Sequence, residues 1–128
     1  MSNLVIYNPD KSSGNALCNL LRRRDLKPIH CTKAEDILQK IRFGAAAILV
    51  LDFSSLPSMS ALTKDIEEIL ELVEKIPVII LSPYSHEESE MKLLQKQGYY
   101  IMEKPIVLEK LVALIHKHTR NAVNLNSD

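Results

Sequence analysis

The stretch Ala45-Ala46-Ala47-Ile48-Leu49-Val50-Leu51-Asp52-Phe53-Ser54-Ser55 decides how this chain folds. Seven apolar residues run directly into a carboxylate. A short, continuous apolar run is the mark of a strand buried on both faces, as in a parallel sheet. An ionised aspartate inside such a strand would need a partner or a metal, so Asp52 belongs at the strand end, where it can leave the apolar layer.

Outward from this stretch, short apolar runs alternate with segments of helical period. Leu4-Val5-Ile6-Tyr7 precedes Ala16, Leu17, Leu20 and Leu21, and Pro28-Ile29-His30-Cys31 precedes Ala34, Ile37, Leu38 and Ile41. The run through Leu51 precedes Leu62, Ile66, Ile69, Leu70 and Val73. Val78-Ile79-Ile80-Leu81 precedes Met91 and Leu94, and Tyr100-Ile101-Met102 precedes Val107, Leu108, Leu111, Val112, Leu114 and Ile115. This alternation predicts an α/β domain, a doubly wound five-stranded parallel sheet with helices on both faces, its third and fourth strands central. One domain over 1–120 is expected, with 121–128, where periodicity fades, as a polar tail or linker stub.

Composition narrows the function. At 128 residues and 46% apolar content, the chain holds one real core and no comfortable second domain. Lys plus Arg balance Asp plus Glu at 16 each, so no net field draws in nucleic acid or an anionic membrane. The basic cluster Arg22-Arg23-Arg24 complements the dipole of the helix it ends. Cys18 and Cys31 have neither metal-site spacing nor a disulfide framework, and no apolar run approaches the ~20 residues that span a bilayer. A cytoplasmic protein without direct contact to nucleic acid or membrane is expected.

In a doubly wound sheet, ligands and chemistry gather at the carboxyl ends of the strands. Those ends carry Asn8-Pro9-Asp10, Thr32, Asp52, Ser82 and Lys104-Pro105. A carboxylate, a hydroxyl and an amine converging there suit phosphoryl chemistry: the carboxylate attacks phosphorus while the hydroxyl and ammonium hold the transferred oxygens.

Together these residues resemble the receiver domain of bacterial two-component response regulators, over roughly residues 3 to 119. Leu49-Val50-Leu51-Asp52 is similar to the third strand with its phosphoacceptor, and Leu56-Pro57-Ser58-Met59-Ser60-Ala61 to the loop that follows. Pro77-Val78-Ile79-Ile80-Leu81-Ser82 is similar to the fourth strand, and Glu103-Lys104-Pro105-Ile106 to the end of the fifth. The resemblance implies a flavodoxin-like (βα)5 fold with strand order 2-1-3-4-5. It implies that Asp52 takes a phosphoryl group from a histidine kinase or phosphotransfer protein, that Ser82 and Lys104 contact that group, and that Lys104-Pro105 is a cis peptide. It further implies Mg²⁺ held by Asp52, Asp10, Asn8 and the backbone of Ser54, and homodimerisation through the fourth helix, fifth strand and fifth helix. That last face would carry Glu87, Glu90, Lys92, Lys96, Lys110 and Lys117.

The departures are local. Where receivers place two adjacent acids after the first strand, this chain has Asn8 and Pro9, which weakens a site for a hard cation. Pro57 falls one place later than usual, Ala61 replaces a glycine, Gly98 lies one place closer to Lys104, and Ile101 stands where the family has its aromatic switch residue. A pseudo-receiver working by protein contact without phosphorylation is therefore the alternative reading.

Plainer roles compete at each position. Asp10 with Ser12 and Ser13 can cap the first helix, Ser82 before Pro83 can start a turn, and Lys104 can be a surface cation. His116 and His118 lie on different helix faces and His30 in a strand, so no zinc site follows. Asn8-Pro9-Asp10-Lys11-Ser12-Ser13-Gly14 is similar to the start of diacylglycerol-kinase-like lipid kinases, yet the three scattered glycines supply no nucleotide loop. Phosphate binding in flavodoxin style at Ser12, Ser13 and Asn15 is conceivable in this fold, though the chain has no Trp for flavin stacking.

Overall fold

The computed structural model describes residues 4–42, 48–53, 59–72, 76–85 and 88–126. Strands and helices alternate: β1 (Leu4–Tyr7), α1 (Lys11–Arg22), β2 (Pro28–Cys31), α2 (Ala34–Arg42), β3 (Ile48–Asp52), α3 (Met59–Leu72), β4 (Val78–Ser82), α4 (Ser89–Lys96), β5 (Tyr100–Glu103) and α5 (Leu108–Asn126). The strands form one parallel sheet in the order β2-β1-β3-β4-β5. Both the alternation and the strand order agree with the sequence reading.

Side-chain parity along the strands divides the core into two layers. Leu49 and Leu51 of β3 pack with Val5, Ile37, Ile66, Ile69, Ile80 and Met91, beneath α2, α3 and α4. Ile48 and Val50 face the other way and pack with Leu4, Leu17, Leu21, Ile79, Leu111 and Ile115, beneath α1 and α5. Every residue of β3 and β4 is buried, as expected of strands covered on both faces, whereas β5 is a partly exposed edge. Burying one such Leu or Ile contributes roughly 1.5–3 kcal/mol, so this double layer dominates the fold's stability.

Chain reversals are built from backbone bonds. At the end of α4, Gly98 adopts φ 100, its N–H donates to the Gln95 carbonyl, and the Tyr99 N–H donates to the Leu94 carbonyl. This paired closure stops the helix and feeds β5. Asp25 plays the same part after α1 at φ 63, with Leu26 N–H on the Leu21 carbonyl. At the other terminus, α5 stays helical through Asn126, beyond the fading of periodicity at Asn121. Once a helix is nucleated each further residue adds a bond at little cost, so apolar period marks packing rather than the helix end.

Candidate functional site

The strand-end residues continue the ladder of the sheet. Asn8 N–H donates to the Cys31 carbonyl, Phe53 N–H to the Leu81 carbonyl, and Lys104 N–H to the Ser82 carbonyl at 2.8 Å. These bonds tie the end of β1 to β2 and the ends of β3 and β5 to β4, and the pairing of Tyr7 with Leu51 joins the two groups.

Asp52 closes β3 with the parity of Ile48 and Val50 and is only 5% exposed. Two partners meet its carboxylate. Lys104 Nζ lies 2.5 Å from Oδ1, and Asn8 Nδ2 donates to Oδ2 at 2.9 Å. The ammonium reaches Oδ1 off the hydrogen-bonding directions, so this oxygen is charge-paired yet carries no hydrogen bond of good geometry. Lys104 keeps partial access to solvent, with its side chain 24% exposed. The Lys104-Pro105 peptide is cis, as the resemblance implies.

Ser82 is fully buried at the end of β4. Its hydroxyl accepts from Tyr84 N–H at 2.9 Å and donates to the Tyr84 carbonyl at 3.3 Å, closing a side-chain turn around Pro83. The turn-forming role weighed for this serine is therefore realised at the strand end that the resemblance assigns to it. Ile101 is half-buried on β5, and the adjacent Tyr100 sets its ring edge-on to His118 of α5, the centroids 4.6 Å apart.

Around β1 the arrangement is different. Asn8 is fully buried, and its side-chain oxygen accepts the Asp10 N–H at 2.8 Å while its NH₂ faces Asp52. Reversing the amide would set oxygen against carboxylate and NH₂ against N–H, so the chemistry of the two neighbours fixes the orientation. Asp10 is exposed and caps α1: its carboxylate accepts from the hydroxyl and backbone N–H of Ser13, which holds its pKa below the ordinary value. Pro9 supplies no ligand. Ser54, the remaining metal-ligand candidate, lies outside the described residues, as do Pro57 of the loop and Glu87 of the fourth-helix face.

Divalent cations such as Mg²⁺ seek carboxylate and carbonyl oxygens at near-octahedral geometry. Here the Asn8 group turned toward Asp52 is a donor, Asp10 is engaged by the helix, and among the described residues no group of three or more His, Cys, Asp and Glu side chains could hold a metal ion. Among the described residues, the donor set around Asp52 does not fit Mg²⁺ in this arrangement.

His30 and Gly14 were not singled out by the sequence reading for this site, and both shape it. His30 Nε2 lies 3.0 Å from the Asn8 carbonyl, an acceptor, so this nitrogen carries the proton; Nδ1 lies 3.3 Å from Asn15 Oδ1. The ring sits against Gly14, where any Cβ would overlap it. A glycine within α1 was the available signal, since glycine weakens a helix unless a close approach requires it. A separate groove of about 450 Å³ between α3 and α4, lined by Glu67, Leu70, Glu71, Leu93, Leu94, Gln97 and Tyr99, contains no residue of this site.

No family model matches the chain, and no curated protein matches it significantly. Solved structures do. The chain is similar to a response regulator receiver domain protein from Clostridium thermocellum, at 15% identity and TM-score 0.73 over 98% of this chain and 99% of that one. It is similar to the receiver domain of the Francisella response regulator 1452, at 18% identity and TM-score 0.68 over 93% and 97%. The beryllofluoride-activated NtrC4 receiver domain dimer matches at 17% identity and TM-score 0.67 over 92% and 96%. The chain has the fold of response regulator receiver domains.

Proposed function

We propose that this chain is a signalling receiver rather than a metabolic enzyme, in which Asp52 accepts a phosphoryl group from a histidine kinase or phosphotransfer protein and thereby switches a protein-interaction surface. The observation that carries this reading is the Asp52 carboxylate at the end of β3 with Lys104 Nζ 2.5 Å from Oδ1, the oxygen that has no hydrogen bond. Oδ1 keeps a lone pair to form the new O–P bond. The P–N bond of a phosphohistidine, or the P–O bond of acetyl phosphate, breaks, and its electron pair leaves with the donor. Lys104 then pairs with the phosphoryl oxygens, and the Ser82 hydroxyl can exchange Tyr84 for one of them. Such an exchange would redirect the β4–α4 turn, a local charge event able to bias a two-state surface. In this reading the domain works in the cytoplasm, and α4, β5 and α5 are its candidate dimer face.

Intact-mass measurement after incubation with acetyl phosphate tests it. One phosphoryl adduct is expected on the native chain and none on Asp52→Asn; a native chain that stays unmodified under every divalent-cation condition contradicts it.

A second reading is favoured by one bond, Asn8 Nδ2 to Asp52 Oδ2 at 2.9 Å. With both carboxylate oxygens approached by partners, the site can serve as a permanent structural pair in a pseudo-receiver that signals through protein contact alone. Partner binding would then survive Asp52→Asn, and its loss in that variant would sink this alternative.

A further inference from the structure

We propose that the Asn8 amide and the Lys104 ammonium together take the place of a divalent cation at Asp52, so that the site holds its charge, and accepts a phosphoryl group, without bound metal. The functional half of this inference rests on the phosphoacceptor reading above; the binding half does not.

Charge balance comes first. A buried carboxylate must be neutralised, and Lys104 does so at Oδ1 from β5. At Oδ2 the partner is the NH₂ of Asn8, a donor where a cation would need an acceptor oxygen. That NH₂ is locked in place from behind. The Asn8 oxygen is held by the Asp10 N–H, its backbone carbonyl by His30, and its N–H by the Cys31 carbonyl. Turning the amide to offer its oxygen to a metal would cost the bonds to both Asp10 and Asp52. Its neighbour Pro9 has no ligating atom in its side chain, and the carboxylate of Asp10 is committed to Ser13.

The same geometry separates the two carboxylate oxygens by role. On phosphorylation Oδ1 becomes the ester oxygen and Oδ2 the carbonyl oxygen of an acyl phosphate. The Asn8 NH₂ already donates to Oδ2, so it holds that oxygen in both states, while the Lys104 ammonium moves from Oδ1 to the phosphoryl oxygens. Asn8 is thus a positioning residue for Asp52, and a specificity-determining one against divalent cations.

The binding test is an amide and side-chain NH₂ NMR titration of the full chain with Mg²⁺. The expected result is no saturable shift at Asn8, Asp52 or Lys104 up to millimolar Mg²⁺, and saturable shifts at these positions in Asn8→Asp/Pro9→Asp. Saturable shifts in the native chain overturn the inference. A double variant as silent as the native chain also overturns it, because exclusion would then not reside in Asn8 and Pro9. Should the double variant misfold, Asn8→Asp with Pro9 retained takes its place, with weaker but saturable shifts expected. The functional test repeats the acetyl phosphate reaction in EDTA and in Mg²⁺. Equal adduct yield is expected; adduct only in Mg²⁺ overturns the inference while sparing the phosphoacceptor reading. No adduct in either overturns that reading and leaves the titration to decide cation exclusion.

Discussion

Asp52 stands between two differently built halves of one strand-end site. Toward β5 it meets Lys104, with the cis Lys104-Pro105 peptide just beyond, while Ser82 closes the neighbouring β4 with its hydroxyl turned to Tyr84. Toward β1 it meets Asn8, whose amide donates to it, while Asp10 turns away to cap α1. One half supplies a mobile positive charge with partial access to solvent; the other supplies a fixed, neutral, buried donor. The difference teaches that one buried strand-end carboxylate can be held by a cation on one side and by a neutral donor on the other.

Breaking the β5 half should have the largest effect. Lys104→Met leaves the Asp52 carboxylate buried with only a neutral donor, and a loss of about 2–3 kcal/mol in chemical denaturation is expected, discounted for the lysine's partial exposure. Adding Asp52→Asn to that variant should restore most of the loss, since the uncompensated charge is then gone.

Next in size is a test of the β1 half from behind. Gly14→Ala drives a methyl group into the His30 ring, and about 1–3 kcal/mol of destabilisation is expected as the ring moves and releases the Asn8 carbonyl. A loss near zero would show that His30 does not hold Asn8.

Much of this division is legible in the sequence, and its limits are physical. The apolar run ending at Asp52 specified a strand end because an ionised carboxylate cannot stay unpaired in the layer that Ile48 and Val50 occupy. Lys104 was legible through Pro105 beside it. Asn8 was legible only as a missing acid and a candidate metal ligand, not as a donor to Asp52. That its NH₂ faces Asp52 follows from the Asp10 N–H on its other side, a relation that no spacing rule expresses. His30 escaped because its partners lie just after β1 and in α1, far from it in the chain, and a lone histidine in a strand carries no periodic signal. The end of α5 was not legible for a related reason: helicity there continues to Asn126, past the apolar face that made the helix readable.

A smaller effect should appear with pH on the β5 side. Burial, and then the charge of Lys117, hold His118 below its ordinary value of 6.5. The unfolded chain therefore binds the proton first as pH falls, so this contribution to stability is intact above about 6.5 and is lost from there down through the folded-state pKa. His118→Phe, which keeps a ring against Tyr100, should flatten the acid limb of a melting-temperature profile. An unchanged limb would assign that limb to other groups.

Smallest of all is the exposed pair Arg24–Glu109, which links the turn after α1 to the first turn of α5. Arg24→Ala should leave the denaturation midpoint almost unchanged, and any difference should vanish at high salt. A larger shift would mean that these helices are coupled through this pair rather than through the sheet.

The central claim is that the chain's own residues balance the charge of Asp52, and the most direct measurement is the proton spectrum of the Asn8 side-chain NH₂. The account predicts two well-separated, exchange-protected resonances that are indifferent to Mg²⁺ and collapse toward solvent values in Asp52→Ala. Resonances that already lie at solvent values in the native chain, or that move saturably with Mg²⁺, would contradict it.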